Sequence, residues 1–208
     1  MKTEEINMKL TSQQALQLLE NSKGLAQDDS WITHSKLVGE ACARIAAALK
    51  LPDLDYAKTL GLVHDIGKRG GYHAGVIPHA IDGYQYLHEL GYPDKYANIC
   101  LTHSFFNNDI QCMIGGLPDP TDPNYRSLKK FIANHEYSDY EKIASLCDLM
   151  CTTKFCTLEY RLIEIIMRRG AFENTRRSII SIYNLKTHIE EKLGFSIYKL
   201  FPEIKENL

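Results

Sequence analysis

Apolar residues along this chain recur three and four positions apart, between capping residues and chain breakers, and the alternation expected of a half-buried strand is largely missing. That periodicity predicts an all-α fold. Thr11 and Gln14 form a capping-box pattern for a helix through about Glu20, and Asp29 with Ser30 can cap a second from Trp31 to Lys50, closed by Pro52. Asp53 or Asp55 opens a third, which carries Tyr56 to His64 and stops near Gly67, before a loop begun by Gly70 and Gly71. Pro78 suits the first turn of a fourth helix ending near Gly91, and Pro93 starts a fifth toward Ser104. Between Asn107 and Tyr125 stand Gly115, Gly116, Pro118, Pro120 and Pro123, too many breakers for a helix, so an irregular loop or lid is expected. Helices follow near Arg126 to Asn134, after Ser138 with a second capping box at Glu141, from Leu158 to Arg169 and from Glu173 to Leu193. No internal repeat or low-complexity linker asks for a division, so one helical domain over residues 1–208 is expected, its last fifteen residues carrying the weakest pattern.

At 208 residues and 44% hydrophobic, the chain can bury a substantial core without disulfides. Its formal charge of −2 leaves no basic excess to neutralise a nucleic-acid backbone, which argues against a nucleic-acid partner. The first twenty residues gather no signal-peptide core, and apolar stretches such as Ala43 to Leu49 are far too short to span a bilayer, so no membrane partner and a cytoplasmic location are expected. The six cysteines form no C-x-x-C pair and are read as reduced thiols; Cys147 and Cys151, four apart, fit one helix face as small buried residues.

The informative residues are acids and imidazoles set among apolar neighbours. Asp148 follows Ile143 to Cys147 with no basic residue within a turn, and an unpaired buried carboxylate costs several kcal/mol, roughly, so it must be protonated, paired or metal-bound. His64 and Asp65 close the apolar turn Leu60 to Val63. Adjacent helical residues diverge by about 100°, so both can address one ion only if it lies between their directions. His34, His79 and His103 each sit on a helix of their own. At the N-terminal turns expected for His34 and His79, the imidazolium is disfavoured, leaving the neutral ring that a metal requires.

In this order, His34, then His64-Asp65, His79, His103 and Asp148, with the string His64-Asp65-Ile66-Gly67-Lys68, the chain resembles the HD-domain superfamily of metal-dependent phosphohydrolases over roughly residues 28 to 170. The resemblance implies a helical bundle whose ligand-bearing helices converge, with the N-terminal and C-terminal helices packed on that core. It implies that His34, His64, Asp65 and Asp148 hold one divalent ion, that His79 and His103 extend the set to a second, and that Asp65 bridges. Mixed imidazole and carboxylate donors favour Fe, Mn or Co, with Zn, Ni or Mg possible. The implied chemistry is attack of a metal-activated water on a small phosphate ester or nucleotide, with Asp65 and Lys68 as the catalytic residues and Lys68 neutralising the substrate phosphate.

Two other readings share these ligands: a di-iron oxygenase of the same superfamily, and a non-catalytic, metal-containing ligand sensor. The cyclic-dinucleotide phosphodiesterase branch is not matched, because Gly91-Tyr92-Pro93 precedes His103 and reads as a turn. Among the remaining polar residues, Arg69 is a weaker phosphate contact than Lys68, and His73 is a loop histidine or a gate. Arg161, Arg168, Arg169, Arg176 and Arg177 are expected on solvated faces, with one able to reach the site mouth. His88, His135 and His188 are read as surface or packing residues.

Overall fold

The computed structural model describes residues 8–71 and 76–207. Among them are nine α-helices and no strand: α1 (Ser12–Asn21), α2 (Ser30–Ala48), α3 (Leu54–Val63), α4 (Val76–Glu89), α5 (Asp94–Thr102), α6 (Tyr125–Asn134), α7 (Asp139–Asp148), α8 (Leu158–Arg169) and α9 (Thr175–Leu193). The fold is an all-α bundle. Short 3-10 helices occupy Ile66–Gly70, Ile197–Leu200 and Pro202–Asn207, so the last residues, weakly patterned in sequence, are ordered by packing: Ile197, Phe201 and Ile204 join the main core. No helix of the described residues is long and apolar enough to cross a membrane.

At the centre, α2 and α3 pack closely, with α7 against both and α1 covering α3. The approach is allowed by two glycines, since a Cβ at Gly61 would lie 2.7 Å from Gly39 Cα. Val38, Ile45, Leu60, Leu62 and Leu146, all fully buried, fill the seam. A second apolar cluster joins α4, α5 and α6 through Ile77, Leu101, Phe105 and Ile132.

Several helix ends differ from the sequence expectation for identifiable reasons. Asp29 makes no capping bond to α2; its carboxylate accepts from the Gly24 amide, and Asp28 instead accepts from the Ser30 amide and hydroxyl. Asp53 caps α3, while Asp55 accepts from Ser12 and so ties α1 to α3. The third helix ends at Val63 rather than near Gly67, and the chain tightens into the 3-10 turn. Cys151 lies beyond α7, bridged to Phe155, so it shares no helix face with Cys147; all six thiols are buried and free, as expected. The stretch after α5 is irregular as expected, but it is pinned: the Asn174 amide donates to the carbonyls of Gln111, Met113 and Gly116 at 2.8, 3.2 and 3.1 Å.

Both capping boxes are formed. The second does more than end a helix, because Glu141 also accepts from His135 Nε2 at 2.7 Å and from Thr102 Oγ1 at 3.4 Å, tying the start of α7 to the end of α5. Ser138→Ala is expected to cost about 1 kcal/mol. That corresponds to a fall in melting temperature of about 2–4 °C for a chain of this size, checked by calorimetry against wild type.

Candidate metal centre

Three helices end where the polar residues meet. His64 is the C-cap of α3, His103 the C-cap of α5, and Asp148 the last residue of α7. The final carbonyls of a helix lack partners within it, and here the rings supply them: His64 Nδ1 donates to Gly61 O at 2.8 Å, and His103 Nδ1 to Ile99 O at 3.0 Å. Each of these bonds fixes the proton on Nδ1 and turns Nε2 toward the common centre, as a metal-binding imidazole requires. His34 and His79 approach from the first turns of α2 and α4, and Asp65 follows His64 at the entry to the 3-10 turn. Ring centroids run 5.2 Å from His34 to His64, 5.0 Å on to His103 and 5.6 Å on to His79.

Asp65 lies in the middle and divides its two oxygens. Its Oδ2 is 3.8 Å from His34 Nε2 and 3.4 Å from His64 Nε2, while its Oδ1 is 3.6 Å from both His79 Nε2 and His103 Nε2. Asp148 Oδ1 completes the first group, 2.9 Å from His34 Nε2 and 3.6 Å from His64 Nε2. Separations of 3.4 to 3.8 Å lie at or beyond the long limit of a hydrogen bond. They suit two donors that each stand about 2.0–2.2 Å from a shared ion. The six sequence-predicted ligands therefore converge, and two sets could each hold a cation: His34, His64 and Asp65, extended by Asp148, and Asp65, His79 and His103.

The donor set fits such ions on two further grounds. His34 Nδ1, His64 Nε2 and Asp65 Oδ1 are buried with no hydrogen-bond partner, a costly state for polar atoms unless something else engages them. The C-terminal ends of three helices and two carboxylates also point a negative field at one spot, which favours cations there. The protonation pattern follows. Burial disfavours the His64 cation, but Asp65 and Asp148 outweigh it and push its pKa up to about 10. Burial disfavours both anions too, yet Lys68 and His64 hold Asp65 well below the carboxylate range, and His34 and His64 do the same for Asp148. His103 is lowered by its burial and by the nearby His64.

Asp65, His79, His103 and Asp148 line a cavity of about 720 Å³. Asp148 keeps its side chain 19% exposed, so it lies at the cavity floor rather than fully inside the core its sequence context suggests. Lys68 reaches the same cavity and is ion-paired with Asp65. Arg69 turns away, its guanidinium 3.6 Å from the centre of the Tyr86 ring. Arg176 and Arg177 are exposed, but Arg161, Arg168 and Arg169 of α8 line the cavity. The loop or lid expected after Asn107 reaches the cavity with Met113, Ile114 and Gly115, whereas Trp31, Phe106 and the Asn174 amide that holds the loop carry no mark in the sequence. His73 lies outside the described residues.

The HD-domain family model matches residues 31–150. The match opens three residues before His34 and closes two after Asp148. No curated protein and no solved structure matches the chain.

Proposed function

The chain belongs to the HD-domain family, and on that premise we propose that it is a metal-dependent phosphohydrolase acting on a small phosphate ester or nucleotide. The observation that carries this reading is the divided carboxylate: Asp65 faces two imidazoles with each oxygen, on the floor of a cavity that also presents a lysine. His34, His64, Asp65 and Asp148 are assigned to one divalent ion, and Asp65, His79 and His103 to a second, with Fe, Mn or Co suited to donors of this kind. Bound there, such ions supply a water that is nucleophilic near neutral pH and neutralise the phosphoryl oxygens.

The protein's own groups do the rest. The Nδ1 bonds of His64 and His103 hold their rings in place without loop rearrangement. Lys68, already at the cavity wall, exchanges Asp65 for a phosphoryl oxygen and steadies its charge as a point cation. An enclosed floor and a chain charge of −2 suit a small substrate better than a polymer. Asp65 and Lys68 are the catalytic residues of this assignment, and a single helical domain over residues 1–208 carries it.

The test is phosphate release from a panel of monoesters and nucleotides with protein loaded separately with Mn, Co, Fe and Mg, run alongside oxygen consumption by the iron form. Turnover of at least one ester supports the assignment. Substrate-dependent oxygen uptake without phosphate release overturns it in favour of an oxygenase. Lys68→Met is expected to lower kcat/KM about 10²-fold, on the order of 2.7 kcal/mol, while metal content stays at the wild-type level. Kinetics paired with metal analysis check this, and an unchanged kcat/KM removes Lys68 from the mechanism.

A further inference from the structure

The wall opposite the metal floor is built from one face of α8. Arg161, Ile165, Arg168 and Arg169 follow at helical spacing and all line the cavity. Glu164 accepts from Arg161 Nη1 at 2.5 Å and from Arg168 Nε at 2.6 Å. One carboxylate thus serves two guanidiniums, which together carry one more charge than Glu164 neutralises. Arg161 is the most enclosed of the three, its side chain 18% exposed where Arg168 and Arg169 are exposed. A guanidinium presents a planar fork of donors that matches a carboxylate or phosphate, so two of them at a cavity wall with one carboxylate between them point to an anion. The rest of the lining is mixed: Trp31, Phe106, Met113 and Ile114 are apolar, while Asp28, Ser30 and Ser104 are polar.

We propose that the α8 wall, centred on Arg161, is a second anion subsite, and that the substrate carries a second anionic group, a carboxylate or another phosphate, separated by a short linking segment from the phosphate held at the floor. The part concerning the floor rests on the phosphohydrolase reading; the subsite itself does not. The cavity has room for such a two-ended ligand, since its volume lies within the range of small-molecule pockets and exceeds what one phosphate needs.

The experiment is calorimetric titration of Mn-loaded protein with three probes of equal chain length: butylphosphonate, 4-phosphonobutanoate and butane-1,4-bisphosphonate. At least one of the two-ended probes is expected to bind about tenfold tighter than butylphosphonate, and the tighter of the two identifies the second group. Arg161→Gln is expected to erase the difference, and Arg168→Gln, at a half-exposed position, to reduce it about threefold. Glu164→Gln, which releases both guanidiniums from their shared carboxylate, is expected to widen the difference, an outcome that a purely structural role for the arginines does not produce. Equal affinity of all three probes for the wild-type protein, or a tenfold difference that survives both arginine variants, overturns the subsite. Phosphate release from no ester under any metal, with the tenfold difference intact, instead overturns the phosphohydrolase reading and leaves the subsite standing.

Discussion

Asp65→Ala is expected to cut ester turnover by at least about 10³-fold, roughly 4 kcal/mol of transition-state stabilisation, and to lower metal content from about two ions per chain to less than one. The size follows from position: among the described residues no other side chain addresses both imidazole pairs, and its Oδ1 and Oδ2 lie 3.4 to 3.8 Å from four different rings. Asp65→Asn is the matched control, keeping the shape and one oxygen while removing the charge that the lysine and His64 stabilise. Elemental analysis and steady-state kinetics on folded protein check both. Two retained ions with wild-type turnover in the alanine variant would falsify the bridging assignment.

Gly67→Ala is expected to destabilise the protein by about 3 kcal/mol or more, lowering the melting temperature by roughly 6–12 °C. Its Cβ would stand 1.9 Å from the carbonyl oxygen of His79 and 2.6 Å from the amide of Gly83, and both are backbone atoms that no rotamer change can move. The chain must therefore shift where the 3-10 turn crosses α4, in the turn that carries His79. The molecules that still fold should first lose the ion assigned to Asp65, His79 and His103, because His79 lies at the clash itself whereas His34 and Asp148 are on other helices. Calorimetry with metal analysis at low temperature separates this from the Asp65 variant, in which both groups lose a ligand. A stable Gly67→Ala protein with two ions would show that the crossing is looser than its geometry indicates.

What could be read from sequence was local. The capping boxes at Thr11 and Ser138 involve residues three apart, and Pro52, Pro78 and Pro93 act on their own backbone, so helix limits near them were legible. The order of His34, His64-Asp65, His79, His103 and Asp148 was legible as a set because imidazoles and acids among apolar neighbours are rarely accidental. Less was legible wherever the deciding partner is distant in sequence. Asp55, an equal candidate for the cap of α3, instead binds Ser12, 43 residues earlier. The arginines of α8 read as a solvated face with one able to reach the site mouth, whereas three line the cavity, and Asn174 has no local signature: its three acceptors lie 58 to 63 residues earlier.

The polar floor lies wholly between residues 34 and 148, inside the stretch that matches the family, whereas the guanidinium wall at 161–169 and the amide clamp at 174 lie past its end. The proposed metal site and the proposed second anion contact thus come from separate lengths of chain. Grafting another α8 onto this floor should leave ion binding untouched while redirecting which molecule is accepted, so relatives alike through residue 150 need not share a substrate.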